Sequence, residues 1–187
     1  MNWKICKSSY IIDKKFFRLR EDLCQAPGNE KTFSFYVVEA LDSAHIIALN
    51  AHNKLLLTIQ YRHGAQIISV ELPCGNIEEN ELPEVGARRE LLEETGYATN
   101  KWHQVGSFYA NPGRQNSLVH NFVAFNVEKV AEQRLDSNEN ISFSFVSSNE
   151  LSGLINDGLF CQGLHLATLL SCISFLPATF KTEILKI

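Results

Sequence analysis

Three features of the chain predict an α/β protein, with a mixed central sheet, helices packed on it, and a small antiparallel β appendage at the N-terminus. The first is a series of short apolar runs, His45–Asn50, Lys54–Tyr61 and Ile67–Leu72, each of strand length and bounded by turn chemistry. The second is the segment from Pro83 to Gly96, which carries helix start and stop signals. The third is the aromatic and β-branched character of residues 16–39, interrupted by the turn Ala26-Pro27-Gly28-Asn29. A chain of 187 residues, 45% hydrophobic and 20% charged, suffices for one domain with a substantial core and a small appendage. The expected division is a β-rich appendage over 1–42 and a main domain over 43–187.

In the appendage, Phe16–Leu23 and Thr32–Glu39 are read as strands. Two or three strands are marginal on their own, so this sheet must lean on the main domain or on a second subunit, which makes a homodimer the expected state. After Ala44, the runs His45–Asn50 and Lys54–Tyr61, joined by Ala51-His52-Asn53, predict two buried strands, and Ile67–Leu72 a third that ends at Pro73. A helix begins at Pro83, where the missing N–H costs nothing, has Glu84 in its first turn, and stops at Gly96. Gly86 inside it costs roughly 1 kcal/mol relative to Ala and is expected to admit close packing on the sheet. Val105–Tyr109 and Val119–Val127 follow as strands flanking the polar loop 111–116, and Ile141–Val146 alternates as a half-buried strand. Ser147-Ser148-Asn149 caps a short helix over Glu150–Ile155, and a longer apolar helix is expected from about Cys161 to Phe175, before Pro177.

The formal charge of −4 excludes a general basic footprint, so no nucleic-acid partner is expected. No apolar stretch has the length of a membrane span or a signal-peptide core, and no membrane association is expected. The 5 cysteines are scattered, odd in number and without a C-x-x-C, which argues against zinc and against a disulfide framework, and fits a cytoplasmic location.

The acidic residues of the Pro83–Gly96 helix violate local helix design. Glu90, Glu93 and Glu94 stand at i, i+3 and i+4 and share a face. Like charges at that spacing destabilise a helix by roughly 0.2–0.5 kcal/mol per pair, and these lie near the negative end of the helix dipole. Rule-breaking of this kind falls at functional sites. A divalent cation resolves it, and carboxylate oxygens suit Mg²⁺, with Mn²⁺ an alternative. Taken alone, three glutamates are also compatible with a solvated helix face paired to Arg88 and Arg89.

The longer pattern decides between them. Gly75, five residues, Glu81, seven residues, then Arg89-Glu90-Leu91-Leu92-Glu93-Glu94-Thr95-Gly96-Tyr97 matches without a gap the signature of the Nudix hydrolases, which this chain resembles. Ile59-Gln60-Tyr61-Arg62-His63 and Glu71-Leu72-Pro73-Cys74-Gly75 are similar to the stretches preceding the box in ADP-ribose pyrophosphatases, and Pro112 sits where that subfamily places a proline. The resemblance implies the Nudix α/β/α sandwich with a dimer-forming N-terminal appendage. It implies Mg²⁺-dependent hydrolysis of a nucleoside diphosphate linked to another moiety, ADP-ribose or a nucleotide sugar, to a nucleoside monophosphate and a sugar phosphate. Carried onto matching positions, Glu90, Glu93 and Glu94 are the metal ligands, joined by a backbone carbonyl of Cys74 or Gly75, and Glu93 and Glu94 are also catalytic. Arg89 and Glu81 hold helix and loop in place. Arg62, Glu71 and Arg114 are carried as substrate contacts.

One departure bears on mechanism. The subfamily often has a catalytic glutamate shortly after the Pro-Gly, but Arg114-Gln115-Asn116-Ser117-Leu118 contains none. Glu139, in a polar loop before the alternating strand, is the expected replacement as base. Other substrates (dinucleoside polyphosphates, NADH, coenzyme A) stay open, as does a Nudix-fold module that binds ADP-ribose-like ligands without cleaving them.

Overall fold

The computed structural model describes residues 2–15 and 17–186. Phe16, the first residue of an expected strand, and Met1 and Ile187, the outer ends of the expected domains, lie outside them. The chain divides into two compact units, Met1–Asp42 with Phe108–Leu118, and Ser43–Ser107 with Val119–Ile187.

In the first unit, β1 (Lys4–Lys14), β2 (Phe17–Gln25) and β3 (Thr32–Glu39) form an antiparallel sheet in that order. The β2–β3 turn uses Gly28 at φ 75°, with Ala26 N–H donating to Lys31 O at 3.0 Å. Strand β1 was not expected. It is exposed along its whole length, and Lys4, Lys7, Ser8 and Ser9 dilute any apolar alternation, so its pairing with β2 and not its composition makes it a strand. The loop 108–118 joins this unit: Val38 N–H donates to Arg114 O at 2.8 Å and Ala40 N–H to Asn116 Oδ1 at 3.3 Å.

The second unit contains β4 (Ser43–Leu49), β5 (Leu55–Arg62), β6 (Ile67–Glu71), β7 (Cys74–Asn76), α1 (Pro83–Thr95), β8 (Tyr97–Ala98), most of β9 (Lys101–Tyr109) and β10 (Leu118–Phe125), β11 (Glu128–Lys129), β12 (Ser142–Val146), α2 (Ser148–Asn156), α3 (Gly163–Ser171) and α4 (Ala178–Ile184). Among the described residues, seven strands make a mixed sheet of order β12-β5-β4-β10-β9, with β6 on β5 and β7 on β4. Strand β10 runs parallel to β4, while β5 and β7 run antiparallel to it. Both faces are covered, so the buried centres of the middle strands, Ile46–Leu49, Leu55–Leu57 and Phe122–Ala124, read as apolar runs. The alternation along β4 sends Ile47 and Leu49 into one core with Leu55, Leu57, Leu151, Phe160, Leu169 and Phe180, against α2–α4. Ala44, Ile46 and Ala48 enter the other, with Leu56, Phe122, Ala124 and the α1 residues Ala87 and Leu91.

Helix α1 obeys its sequence signals. Pro83 opens it, Glu84 lies in the first turn, and Gly96 closes it at φ 73° with its N–H on Leu92 O at 2.8 Å. Helix α2 starts with a full capping box, Ser147 and Glu150 bonding each other's backbone N–H. The expected long helix from Cys161 to Phe175 is two pieces. The side chain of Gln162 accepts from Leu164 N–H and His165 N–H and starts α3 only at Gly163, and after Cys172 the chain tightens into one 3-10 turn, Ile173–Phe175. Helix α4, after Pro177, was not foreseen. Among the described residues no helix is long and apolar enough to cross a membrane.

Candidate active site

The site is built where β7 meets α1. Pairing of Ser43, Ala44 and His45 with Asn76, Gly75 and Cys74 fastens the loop to the start of β4, and Ile46 N–H donates to Pro73 O at 2.9 Å. Helix α1 packs on this loop so tightly that a Cβ on Gly75 would overlap the Glu90 carboxylate. Glycine is needed there for space. Cys74 N–H donates to Glu94 Oε2 at 3.0 Å, so buried Glu94 and half-buried Glu90 of α1 both face the loop backbone.

Arg89 is the clamp. Its Nε and Nη2 each hold a Glu81 oxygen at 2.9 Å, Nη2 also reaches Asn76 O at 2.9 Å, and Nη1 donates to Glu90 Oε1 at 2.8 Å and Glu93 Oε2 at 3.1 Å. Glu81 is locked in turn, accepting from Glu78 N–H at 2.9 Å. Gly86 serves this lock. A Cβ there would lie 2.8 Å from Glu81 Oε2, so the close approach it admits is that of a carboxylate and not, as expected, of the sheet.

The acidic end of α1 lacks a basic residue in its last turn, and its carbonyls are satisfied from outside. Gln133 Nε2 donates to Glu94 O at 2.5 Å and to Ile141 O at 3.0 Å, and Arg134 N–H donates to Glu93 O at 2.9 Å. This strap brings in the loop that carries Glu139, whose carboxylate accepts from Asp136 N–H at 2.9 Å. Nothing in the sequence marks Gln133, whose partners are set only by the fold.

Even with Arg89 in place, the carboxylates leave the site with an excess of negative charge. Burial first, then the charges of Glu90 and Glu139, push the Glu94 carboxyl well above the usual range, with the Cys74 N–H only partly opposing. Burial likewise raises Glu90, against the pull of Arg89 and with the push of Glu93 and Glu139. Oxygen donors crowded at an unfavourable potential, beside a glycine that leaves room for them, fit a hard divalent cation. Burial pushes the Cys74 thiol well above its ordinary value, which disfavours a thiolate nucleophile.

The three expected substrate contacts differ in surroundings. Glu71 is completely buried, with both carboxylate oxygens held by Arg62 and with His165 Nε2 at 3.4 Å. It is the counter-ion of Arg62 and has no exposed surface of its own, contrary to the expectation of a direct contact. Arg62 uses Nε and Nη2 for that pairing, and its Nη1 has no hydrogen-bond partner among the described residues. With a side chain 42% exposed, it presents an open guanidinium edge. Arg114 is exposed and belongs to the other compact unit.

A family model described as the NUDIX domain matches residues 40–160. An ADP-ribose pyrophosphatase of Bacillus subtilis (strain 168) is 31% identical over 128 residues, covering 68% of this chain and 69% of that protein. A methanol dehydrogenase activator of Bacillus methanolicus is 32% identical over 126 residues, covering 67% and 68%. A crystal structure of an ADP compounds hydrolase superposes with a TM-score of 0.81 over 94% of each chain at 17% identity, a likeness of fold.

Proposed function

This chain belongs to the Nudix family, and from that premise we propose that it is a pyrophosphohydrolase that cleaves the diphosphate of ADP-ribose or a nucleotide sugar into a nucleoside monophosphate and a sugar phosphate. The observation that carries the reading is the placement of Glu90 and Glu94 of α1 against the Cys74–Gly75 loop, with Glu93 joined to Glu90 through Arg89. These carboxylates, with a carbonyl of Cys74 or Gly75, are the proposed ligands of Mg²⁺, or of Mn²⁺ in its place. The bound cation supplies charge to the diphosphate oxygens and acidity to the attacking water.

The remaining roles belong to the chain's own side chains. Arg62 offers its Nη1 edge to a phosphate, a planar match to two phosphate oxygens. Glu71 fixes the orientation of that guanidinium. Glu139, whose charge is felt at both Glu90 and Glu94, takes a proton from the attacking water as a P–O bond forms and the bridging P–O bond breaks. Arg114 is proposed as a contact for the far half of the substrate. The proposed division is a dimer-forming appendage over 1–42 and a hydrolase domain over 43–187, and the free thiols of all five cysteines accord with a cytoplasmic setting.

The test is incubation with Mg²⁺ or Mn²⁺ and a panel of ADP-ribose, GDP-mannose, NADH, coenzyme A and a dinucleoside polyphosphate, with products identified by mass. AMP and ribose 5-phosphate from ADP-ribose are expected. Cleavage confined to another member of the panel would replace the substrate. Binding of ADP-ribose with no cleavage of any member would make the protein a binding module.

A further inference from the structure

Behind Arg62 lies a cluster that the hydrolytic reading does not use. His165 on α3 is fully buried, its Nε2 3.4 Å from Glu71 Oε2 and 3.9 Å from Cys74 Sγ. Its ring stacks on His45 at 4.4 Å between centroids and 19° between planes, and Phe160 meets it edge-on at 6.1 Å. The donor atoms of His45, Cys74 and His165 fall within 4.8 Å of one another, a composition that suits a soft metal ion.

Proton positions rule against a metal. Leu72 N–H donates to His165 Nδ1 at 3.0 Å, so Nδ1 is the lone-pair nitrogen and the proton is on Nε2. The only ring nitrogen of His165 near Cys74 is therefore a donor, and freeing its lone pair would set two N–H groups face to face at Leu72. Rings stacked 19° from parallel also share no in-plane point at bonding distance, and burial keeps the thiol protonated. The same nitrogen lies 3.4 Å from Glu71 Oε2. A second chain of bonds holds the stacked ring: Asn121 Nδ2 donates to Gly106 O at 3.4 Å, the Thr168 hydroxyl donates to Asn121 Oδ1 at 2.8 Å, and His45 Nδ1 lies 3.2 Å from that hydroxyl. With Thr168 already donating, His45 must donate to it from Nδ1.

We propose that His165 is a positioning residue for Arg62, acting through Glu71: a neutral imidazole whose Nε2–H holds the buried carboxylate, which in turn fixes the guanidinium edge that meets a phosphate. Its Nδ1 anchors Leu72, two residues before the metal-loop Cys74, so one ring from α3 sets both the arginine and the entry to the loop. A buried carboxylate shared by Arg62, His165 and, at 3.5 Å, Gln60 Nε2 cannot swing, and neither can the arginine paired to it through two nitrogens. The inference rests on the reading of Arg62 as a phosphate contact.

The experiment is a double-mutant cycle in steady-state kinetics, with saturating Mg²⁺ and whichever nucleoside diphosphate derivative the wild type cleaves. His165→Asn keeps an oxygen for the Leu72 N–H but has no donor that reaches Glu71, whereas His165→Gln restores an N–H at the Nε2 position. His165→Asn is expected to raise KM about tenfold or more with a smaller change in kcat, and His165→Gln to recover most of it. Adding His165→Asn to Arg62→Ala should cost nothing further. Wild-type KM in His165→Asn with Arg62→Ala impaired overturns the positioning role alone, as do additive losses in the double variant or losses that follow the melting temperature. Wild-type KM in Arg62→Ala overturns the phosphate reading and this inference with it. Should His165→Asn fail to fold, Glu71→Gln enters the same cycle with the same expectations.

Discussion

Glu71 and Glu94 are both buried, and burial has opposite results for them. Burial alone would raise Glu71, but hydrogen bonds from Arg62 and His165 outweigh it and hold the carboxyl well below the usual range. Glu94 has one backbone N–H and two anionic neighbours, and its carboxyl rises. The signs follow from linkage. Glu71 contributes stability that is fully present above the unfolded value of 4.5 and lost as pH falls through its folded value. Glu94 contributes stability present below 4.5 and lost as pH rises through its folded value. In chelator, urea unfolding should therefore show stability declining as pH climbs from 4.5 through the folded value of Glu94, and Mn²⁺ or Mg²⁺ at neutral pH should restore it. Glu94→Gln should flatten that decline, since the amide carbonyl still accepts from Cys74 N–H; an unchanged slope in that variant would count against the account. The glutamate triad was legible because its spacing is local to one helix. The state of Glu71 was not, because its partner His165 arrives from α3, far along the chain.

At the scale of elements, α1 shows why local signals succeed and where they end. Pro83, Glu84 and Gly96 act within a turn of themselves, and the helix runs between them as expected. The strap that satisfies its last carbonyls through Gln133 and Arg134 is long-range and left no mark in the sequence. The split of the C-terminal helix depends on the Gln162 side chain bonding two N–H groups, a cap that competes with an equally apolar continuation. Gly86→Ala tests how tightly helix and loop are joined. An ordinary helix gains about 1 kcal/mol from that change, but the new Cβ would meet a Glu81 oxygen already held by Arg89 and Glu78 N–H. Denaturant unfolding should show no gain, together with reduced turnover; a full gain at wild-type turnover would contradict the lock. Ser147→Ala should cost about 1 kcal/mol through loss of the capping box without changing KM, measured the same way.

For the whole molecule, the mixed sheet was legible because the buried centres of β4, β5 and β10, Ile46–Leu49, Leu55–Leu57 and Phe122–Ala124, read as apolar runs. The appendage was legible as β-rich but not in strand number, since β1 owes its form to pairing. The first unit leaves Trp3, Ile5, Phe17, Phe33, Phe35 and Tyr36 exposed, with Trp3 edge-to-face on Phe33 and Phe35. Phe33 and Phe35 share one face of β3, and Tyr36 lies on the other; exposed aromatic residues on so small a sheet suit a second subunit. Light scattering should give twice the chain mass of 21.1 kDa, and a fully active protein at the single-chain mass would remove the dimer from the account. The central claim, that Glu90, Glu93 and Glu94 hold a cation that drives diphosphate cleavage, is tested most directly by a Mn²⁺ titration followed by electron paramagnetic resonance, with ADP-ribose turnover in the same samples of wild type and Glu94→Gln. Loss of an outer-shell partner already costs about 10–100-fold, so the variant should bind Mn²⁺ weakly and turn over more than about a hundredfold slower, with its circular dichroism unchanged. Wild-type turnover in Glu94→Gln, or Mn²⁺ binding equal to that of the wild type, would contradict it.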